Sequence, residues 1–306
     1  MAVSTEKLDK GQALLQHAKS AWQLLDDGDY FLAGNSLLQP VLFKQQSIQS
    51  EPQPAPPGSQ AAMLKIPLSG KGSAGFRLLD CWAGKAAVHV YKYDANALLM
   101  ERATGERSLR RMVLDGREDE ANTIVCGVVQ QLHANTCAQS PDLPPLTSWF
   151  QSLATAAKQH GAIFANCHEI AAALLRDPRD IVALHGDIHY DNILDSGRNS
   201  DIHDNNILDS QARGWLAIDP KGVIGERGFD YANLFCNPTI EVATSPARLP
   251  RQVPLVAAQA GLEPQRLLRW IIAWSGLMAA WMLEDGEEPT LPLSVAGPAM
   301  GQLEIS

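Results

Sequence analysis

Apolar residues recur at helical spacing over residues 5–25 (Leu8, Leu14, Leu15, Ala18, Ala21, Trp22, Leu25), and Asp26-Asp27-Gly28-Asp29 then forces a turn. Short strand-like runs follow at Tyr30–Ala33, Leu38–Phe43, Ala61–Ile66, Ala86–Tyr91 and Ala97–Arg102. Between residues 47 and 58 the composition shifts to Ser, Gln and Pro, which predicts a loop. The first hundred residues therefore predict a small antiparallel β unit with one or two helices. From about Ser108 the period lengthens. Residues 122–133, 146–158, 163–175, 229–236 and 264–283 carry helix-like patterns. Two short apolar strands, Ile181–Leu184 and Trp215–Ile218, interrupt them, and each runs into a polar cluster, LHGD and IDP. Such junctions are where catalytic groups are commonly displayed. The tail, residues 289–306, holds three prolines and little helical pattern, so no helix is expected there.

Composition narrows the classes. The 306 residues are 45% hydrophobic and 19% charged, enough to bury a core of one large or two modest domains. The net charge of −9 argues against a protein that wraps duplex nucleic acid through a basic face, and it is compatible with a cationic small molecule. The start, MAVSTEKLDKGQALLQ, lacks an apolar stretch behind a basic flank, which predicts a cytoplasmic location. The most apolar stretch, residues 270–283, falls short of the roughly 20 residues a membrane span needs and reads as a buried helix. Five dispersed cysteines without a CxxC pair predict reduced thiols that fill the core.

The densest chemistry lies at His185-Gly186-Asp187-Ile188-His189-Tyr190-Asp191-Asn192, with Asp219 32 residues after Asp187. Phosphoryl transfer needs a carboxylate to orient a hydroxyl and oxygen ligands for Mg²⁺, which Asp187, Asn192 and Asp219 supply. Lys65, inside an apolar strand, would suit a phosphate, although a lone strand lysine is more often a surface residue. A zinc site at His185 and His189 is disfavoured by the misplaced acid and by Gly186. A calcium loop at Asp195-x-Gly197-x-Asn199-x-Asp201 lacks the Gly and Glu such loops require. A fourth reading has these Asp and Asn residues merely capping turns.

One segment is duplicated. DIHYDNILDS (187–196) and DIHDNNILDS (201–210) share eight of ten residues at an offset of 14. A unit present twice is too short for a solenoid and reads as a local tandem duplication that lengthens one connection.

The words AWQLLDDGD, NSLLQPV, AMLKI, CWAGKAAVHV, ALLMERA, LHGDIHYDNIL and GWLAIDPKGVIGERGFDYANLFCNP span most of the chain. Through them the sequence resembles the aminoglycoside phosphotransferases, in the streptomycin 6-kinase and hydroxyurea-resistance kinase branch. The resemblance implies an α+β, two-lobe, protein-kinase-like fold: an antiparallel β-rich N-lobe (1–103) and a larger helical C-lobe (104–306). It implies an ATP- and Mg²⁺-dependent phosphotransferase acting on a hydroxyl of a small cationic aminoglycoside or hydroxyurea-like acceptor, without nucleic acid or membrane partners. Asp187 would be the catalytic base, Asn192 and Asp219 the metal ligands, and Lys65 a phosphate contact. Met100, Glu101 and Ala103 would meet adenine at the hinge, residues 35–41 would cover the phosphates, and Asp230 would brace the catalytic loop.

Three departures stand out. No acid follows Lys65 before Asp80, so the usual helix partner of the lysine is missing. This supports the rival expectation of a catalytically impaired kinase-fold binder. Second, the spacing from Asp187 to Asp219 exceeds that of relatives by the repeat offset, so Asp201 and Asn206 compete with Asp187 and Asn192, as does a hybrid of Asp187 with Asn206. The first copy is favoured because it follows a strand and keeps His185-Gly186, leaving residues 197–209 as an exposed excursion. Third, the tail shows little helical pattern where relatives tend to continue helical. Glu226, Asp230 and Glu284-Asp285-Gly286-Glu287-Glu288 are the acids expected to receive acceptor cations.

Overall fold

The computed structural model describes residues 4–44, 60–69, 73–135, 142–197 and 214–305. Helix α1 (Thr5–Trp22) begins where Ser4 Oγ accepts the Lys7 N–H and ends at Gln23, whose φ of 54° turns the chain back. Strands β1 (Leu25–Asp26), β2 (Phe31–Ala33), β3 (Ser36–Phe43), β4 (Gln60–Pro67), β5 (Val90–Tyr93) and β6 (Leu98–Glu101) form one antiparallel sheet in the order β1-β3-β4-β6-β5, with β2 folded onto β3. Strand residues alternate between faces. Leu37 and Val41 of β3 and Ala62, Leu64 and Ile66 of β4 pack with Leu15 and Ala18 of α1 into a small core of their own. Helix α2 (Ser73–Trp82) lies between β4 and β5 and packs on β5.

The chain leaves β6 at Glu101 and enters the second lobe at α3 (Leu109–Leu114), followed by α4 (Glu118–Ala134), α5 (Gln151–His160) and α6 (Ala162–Arg176). Four short strands come next: β7 (Ile181–Leu184), β8 (Ile193–Asp195), β9 (Trp215–Ala217) and β10 (Val223–Glu226). They form two antiparallel pairs, β7 with β10 and β8 with β9. A 3-10 segment (Arg227–Cys236), α7 (Ile240–Ala243), α8 (Arg248–Ala260), α9 (Pro264–Glu284) and α10 (Thr290–Ile305) complete the lobe. Helix α9 is buried around most of its circumference, as its unbroken apolar pattern predicts. No helix among the described residues is long and apolar enough to cross a membrane.

Several expectations need correcting. The tail is helical after all: Pro289 precedes α10 and Pro292 sits in its first turn, where backbone N–H groups lack intrahelical partners anyway, while Pro298 is accommodated inside the helix. Cys81 is disulfide-bonded, whereas Cys126, Cys167 and Cys236 are free and buried. Residues 146–158 divide into a 3-10 turn and α5. The stretch expected as a strand from Ala86 first bridges to β9, with Val88 N–H donating to Ala217 O at 3.1 Å and Ala217 N–H to Ala86 O at 2.9 Å. That bridge fixes the smaller lobe against the strand leading to Asp219. The second repeat copy, with Asp201 and Asn206, lies outside the described residues, as does nearly all of the expected excursion at 197–209.

Candidate active site

Asp187 follows β7 on a loop whose turn is made by Gly186 (φ +81°). Two buried groups hold that loop. Asp230 accepts the backbone N–H of His185 at 3.0 Å and of Gly186 at 2.7 Å, and it also contacts His133 Nε2 at 2.9 Å. The His185 ring sits 2.8 Å from Ile218 O through Nε2, and Asp187 N–H reaches its Nδ1 at 3.2 Å. Those partners assign Nε2 as the protonated nitrogen of a neutral ring, and full burial lowers its pKa accordingly. His185 is thus a joint between the ends of β7 and β9. Among the described residues no group of three or more His, Cys, Asp or Glu could hold a metal ion as a cluster.

Asp219 follows β9 at a φ of +57°, a conformation rare for a residue with a Cβ and one found at strained functional positions. Its Oδ1 pairs with Lys65 Nζ at 2.5 Å and its Oδ2 with Lys221 Nζ at 3.2 Å. Lys221 also reaches Asp187 Oδ2 at 3.1 Å, so one ammonium bridges the two carboxylates. Asn233 Nδ2 donates to Asp187 Oδ1 at 3.1 Å. Asn192 Nδ2 donates to Asp187 O at 2.8 Å and lies 3.4 Å from its Oδ2, which leaves the amide oxygen as a ligand atom.

The charges are tuned by opposing effects. Burial pushes the Asp219 carboxyl up, but Lys65 and Lys221 outweigh it and hold the group below its ordinary value. Burial alone would lower Lys221, yet Asp187 and Asp219 keep it raised and cationic. Lys65 differs: at 6% exposure, desolvation exceeds the attraction of Asp219 and lowers it.

Lys65, Asp187, Asn192 and Asp219 thus line one cavity of about 630 Å³ between the lobes, roofed by the β2–β3 turn at Gly34-Asn35. Of the hinge residues, Met100 lines it, whereas Glu101 and Ala103 lie outside its walls. Glu101 gives its N–H to His89 O at 2.8 Å. A second cavity of about 1000 Å³ opens on the other side of Asp187 and Lys221.

The missing helix acid has a structural answer: the counter-ion of Lys65 is Asp219 itself, while Asp80 is exposed on α2. Two of the acids expected to bind acceptor cations are engaged elsewhere, and the run Glu284–Glu288 is exposed and lines neither cavity. Glu226 is buried against Arg266 (2.6 Å), Trp270 Nε1 (2.8 Å) and Arg179 N–H (3.0 Å), and Asp230 is spent on the loop that carries Asp187. Sequence reasoning missed Lys221 and Asn233; the only signal for them was their place inside the longest family-like word.

The model of the family described as "Aminoglycoside/hydroxyurea antibiotic resistance kinase" matches residues 21–200 and 199–286, two stretches that meet inside the duplicated segment. The chain belongs to this family. It is 42% identical over 270 residues to a streptomycin 3''-kinase of Klebsiella pneumoniae, covering 87% of this chain and 91% of that protein. It is 26% identical over 302 residues to a streptomycin 6-kinase of Streptomyces griseus, covering 93% and 87%. In fold it is similar to a choline/ethanolamine kinase family protein of Mesorhizobium loti, with a TM-score of 0.60 at 14% identity, covering 94% and 92%.

Proposed function

We propose that this family member is an ATP- and Mg²⁺-dependent O-phosphotransferase whose acceptor is a streptomycin-like aminoglycoside. The observation that carries this reading is the meeting of Lys65, Asn192 and Asp219 around one interlobe cavity, with Asp187 at the opening to the second. ATP would occupy the inner cavity, its adenine toward Met100 and the hinge run through Ala103, and its phosphates toward Lys65 and the β2–β3 turn. We place the lobe boundary at residues 103/104, in the connection that follows β6.

The donor set suits magnesium: a carboxylate held ionised by two ammoniums and an amide oxygen are hard ligands. Asp219 and Asn192 would hold the ion, which when bound would neutralise the phosphate oxygens. Asp187 would orient the acceptor hydroxyl and take its proton as that oxygen bonds to the γ-phosphorus. The bond from the γ-phosphorus to the bridging β-γ oxygen then breaks, and ADP leaves. Lys221, at the junction of both cavities, would offset the negative charge spreading over the transferred group.

The rival reading, a kinase-fold binder without turnover, drew on the missing acid beside Lys65 and on the loop disturbed by the duplication; the Lys65–Asp219 pair speaks against the first of these. The test is phosphate transfer from ATP to streptomycin, followed by mass spectrometry of the product. A gain of one phosphoryl group on streptomycin, dependent on Mg²⁺, is expected. A folded protein that binds ATP yet phosphorylates no aminoglycoside would overturn the reading.

A further inference from the structure

The outer cavity is walled by tryptophans rather than by acids. Helix α9 carries Trp274, Met278 and Trp281 four and three residues apart, which brings all three to one face. Trp149, just after a 3-10 turn, meets Trp281 with ring centroids 5.4 Å apart and planes at 68°, and Trp281 meets Trp274 at 5.9 Å and 85°. Rings at such angles form the corner of a box. Trp149 and Trp281 are only half-buried, so part of each indole stays open to the cavity.

The corner stands beside the reacting group. A Cβ added at Gly186 would come within 2.9 Å of the Trp149 ring, so this indole lies against the residue that precedes Asp187. Asp187 is the one acid among the lining side chains, and its oxygens already receive Lys221, Asn233 and Asn192. A cationic acceptor therefore finds no unoccupied carboxylate in this wall. It finds the negative faces of indole rings. Elsewhere in the chain Arg107 lies over Trp215 and Arg248 over Phe235, whereas Trp149, Trp274 and Trp281 carry no cation of the chain among the described residues.

We infer that Trp149 and Trp281 form an acceptor subsite for a planar guanidinium group, held by stacking and cation–π attraction in place of ion pairs. A guanidinium is flat, delocalised and weakly hydrated, so it leaves water for an aromatic face at lower cost than an ammonium does. The subsite consequently discriminates guanidinium-bearing cyclitols from cyclitols that carry amines only. This inference rests on the phosphotransferase reading for the identity of the cavity as the acceptor side.

The test uses the full chain with two probes, streptidine, which carries two guanidinium groups, and 2-deoxystreptamine, which carries two amines. Binding by calorimetry is compared in wild type, Trp281→Phe, Trp281→Leu and Trp149→Leu. Wild type is expected to bind streptidine at least about 10-fold more tightly than 2-deoxystreptamine. Trp281→Leu should weaken streptidine by roughly 10- to 30-fold, the range of a desolvated cation–π contact, and Trp281→Phe by less. The ATP- and Mg²⁺-induced rise in Tm should be the same in every variant that folds, and Trp149→Leu gives an independent reading if a Trp281 variant does not. Equal binding of the two probes, or wild-type affinity for streptidine in both leucine variants, overturns the inference. Failure of the phosphotransferase reading shows separately, as absence of phosphorylated product from streptomycin while the binding preference persists.

Discussion

At Asp187 one carboxylate faces three donors: Asn233, Lys221 and, at longer range, Asn192. That arrangement holds the carboxylate at the opening to the outer cavity, so Asp187→Asn should lower kcat by roughly 100- to 10,000-fold with little change in Tm. Asp201→Asn, the equivalent change in the second repeat copy, should leave turnover intact. Loss of activity in Asp201→Asn alone, measured by ADP release, would reassign the base. Lys221 is argued from charge. Removing it leaves two carboxylates facing each other across the junction, and it deletes a cation from the path of the phosphoryl group. Lys221→Met should reduce kcat by about 100-fold or more, and Lys221→Arg should restore part of it. Equal activity in wild type and Lys221→Met would exclude that role. These two residues also mark what the sequence makes legible. Asp187 announces itself through HGD at a strand end, because a short apolar run followed by polar residues has few other uses. A lysine two residues after an acid in a turn reads as surface, and its bridging position depends on two strands far apart in sequence.

At the scale of elements, β8 is clamped to the connection between the lobes. Arg107 holds Asp195 through Nε at 2.7 Å and Nη2 at 2.9 Å, and Gly105 N–H donates to Asp195 O at 3.1 Å. Gly105 must lack a side chain because a Cβ there would collide with the Asp195 carboxylate. The Arg107 hydrogen bonds, with backbone N–H groups of Gly197 and Arg107, hold the Asp195 carboxyl below its ordinary value. A depressed carboxyl contributes stability above its unfolded pKa of about 4 and loses that contribution as the pH falls through its folded value. Asp195→Asn should therefore cost about 1–2 kcal/mol at neutral pH, with the difference from wild type shrinking below pH 4. Urea unfolding at several pH values measures this, and a pH-independent difference would refute the assignment. Long apolar helices such as α9 were legible from pattern alone. The tail helix was not, because prolines read as breakers, and one of them, Pro298, lies inside the helix itself.

The whole molecule has to accommodate a duplicated segment, and its core holds a residue of the first copy that the second copy lacks. The copies differ at two of ten positions: Tyr190 and Asp191 in the first stand where the second has Asp204 and Asn205. Tyr190 is 2% exposed, and its hydroxyl donates to Asn122 Oδ1 at 2.8 Å, which links it to Gln252 of α8 through Asn122 Nδ2 at 2.9 Å. An aspartate cannot fill the volume of that buried ring. Two deletions of equal length test this. Removing residues 197–210 keeps Tyr190 and shortens the connection between β8 and β9 to a few residues. By loop-closure entropy that should be neutral or stabilising by about 1 kcal/mol, with activity retained. Removing residues 187–200 leaves Asp201 and Asn206 in place of Asp187 and Asn192, but it puts Asp204 where Tyr190 was. The catalytic groups are then chemically unchanged, while the core loses a buried aromatic ring at a cost of about 3–5 kcal/mol before the carboxylate is counted. The second deletion should thus melt well below wild type, and restoring tyrosine with Asp204→Tyr in that background should recover most of the loss. Equal Tm values for the two deletions would show that the core does not distinguish the copies.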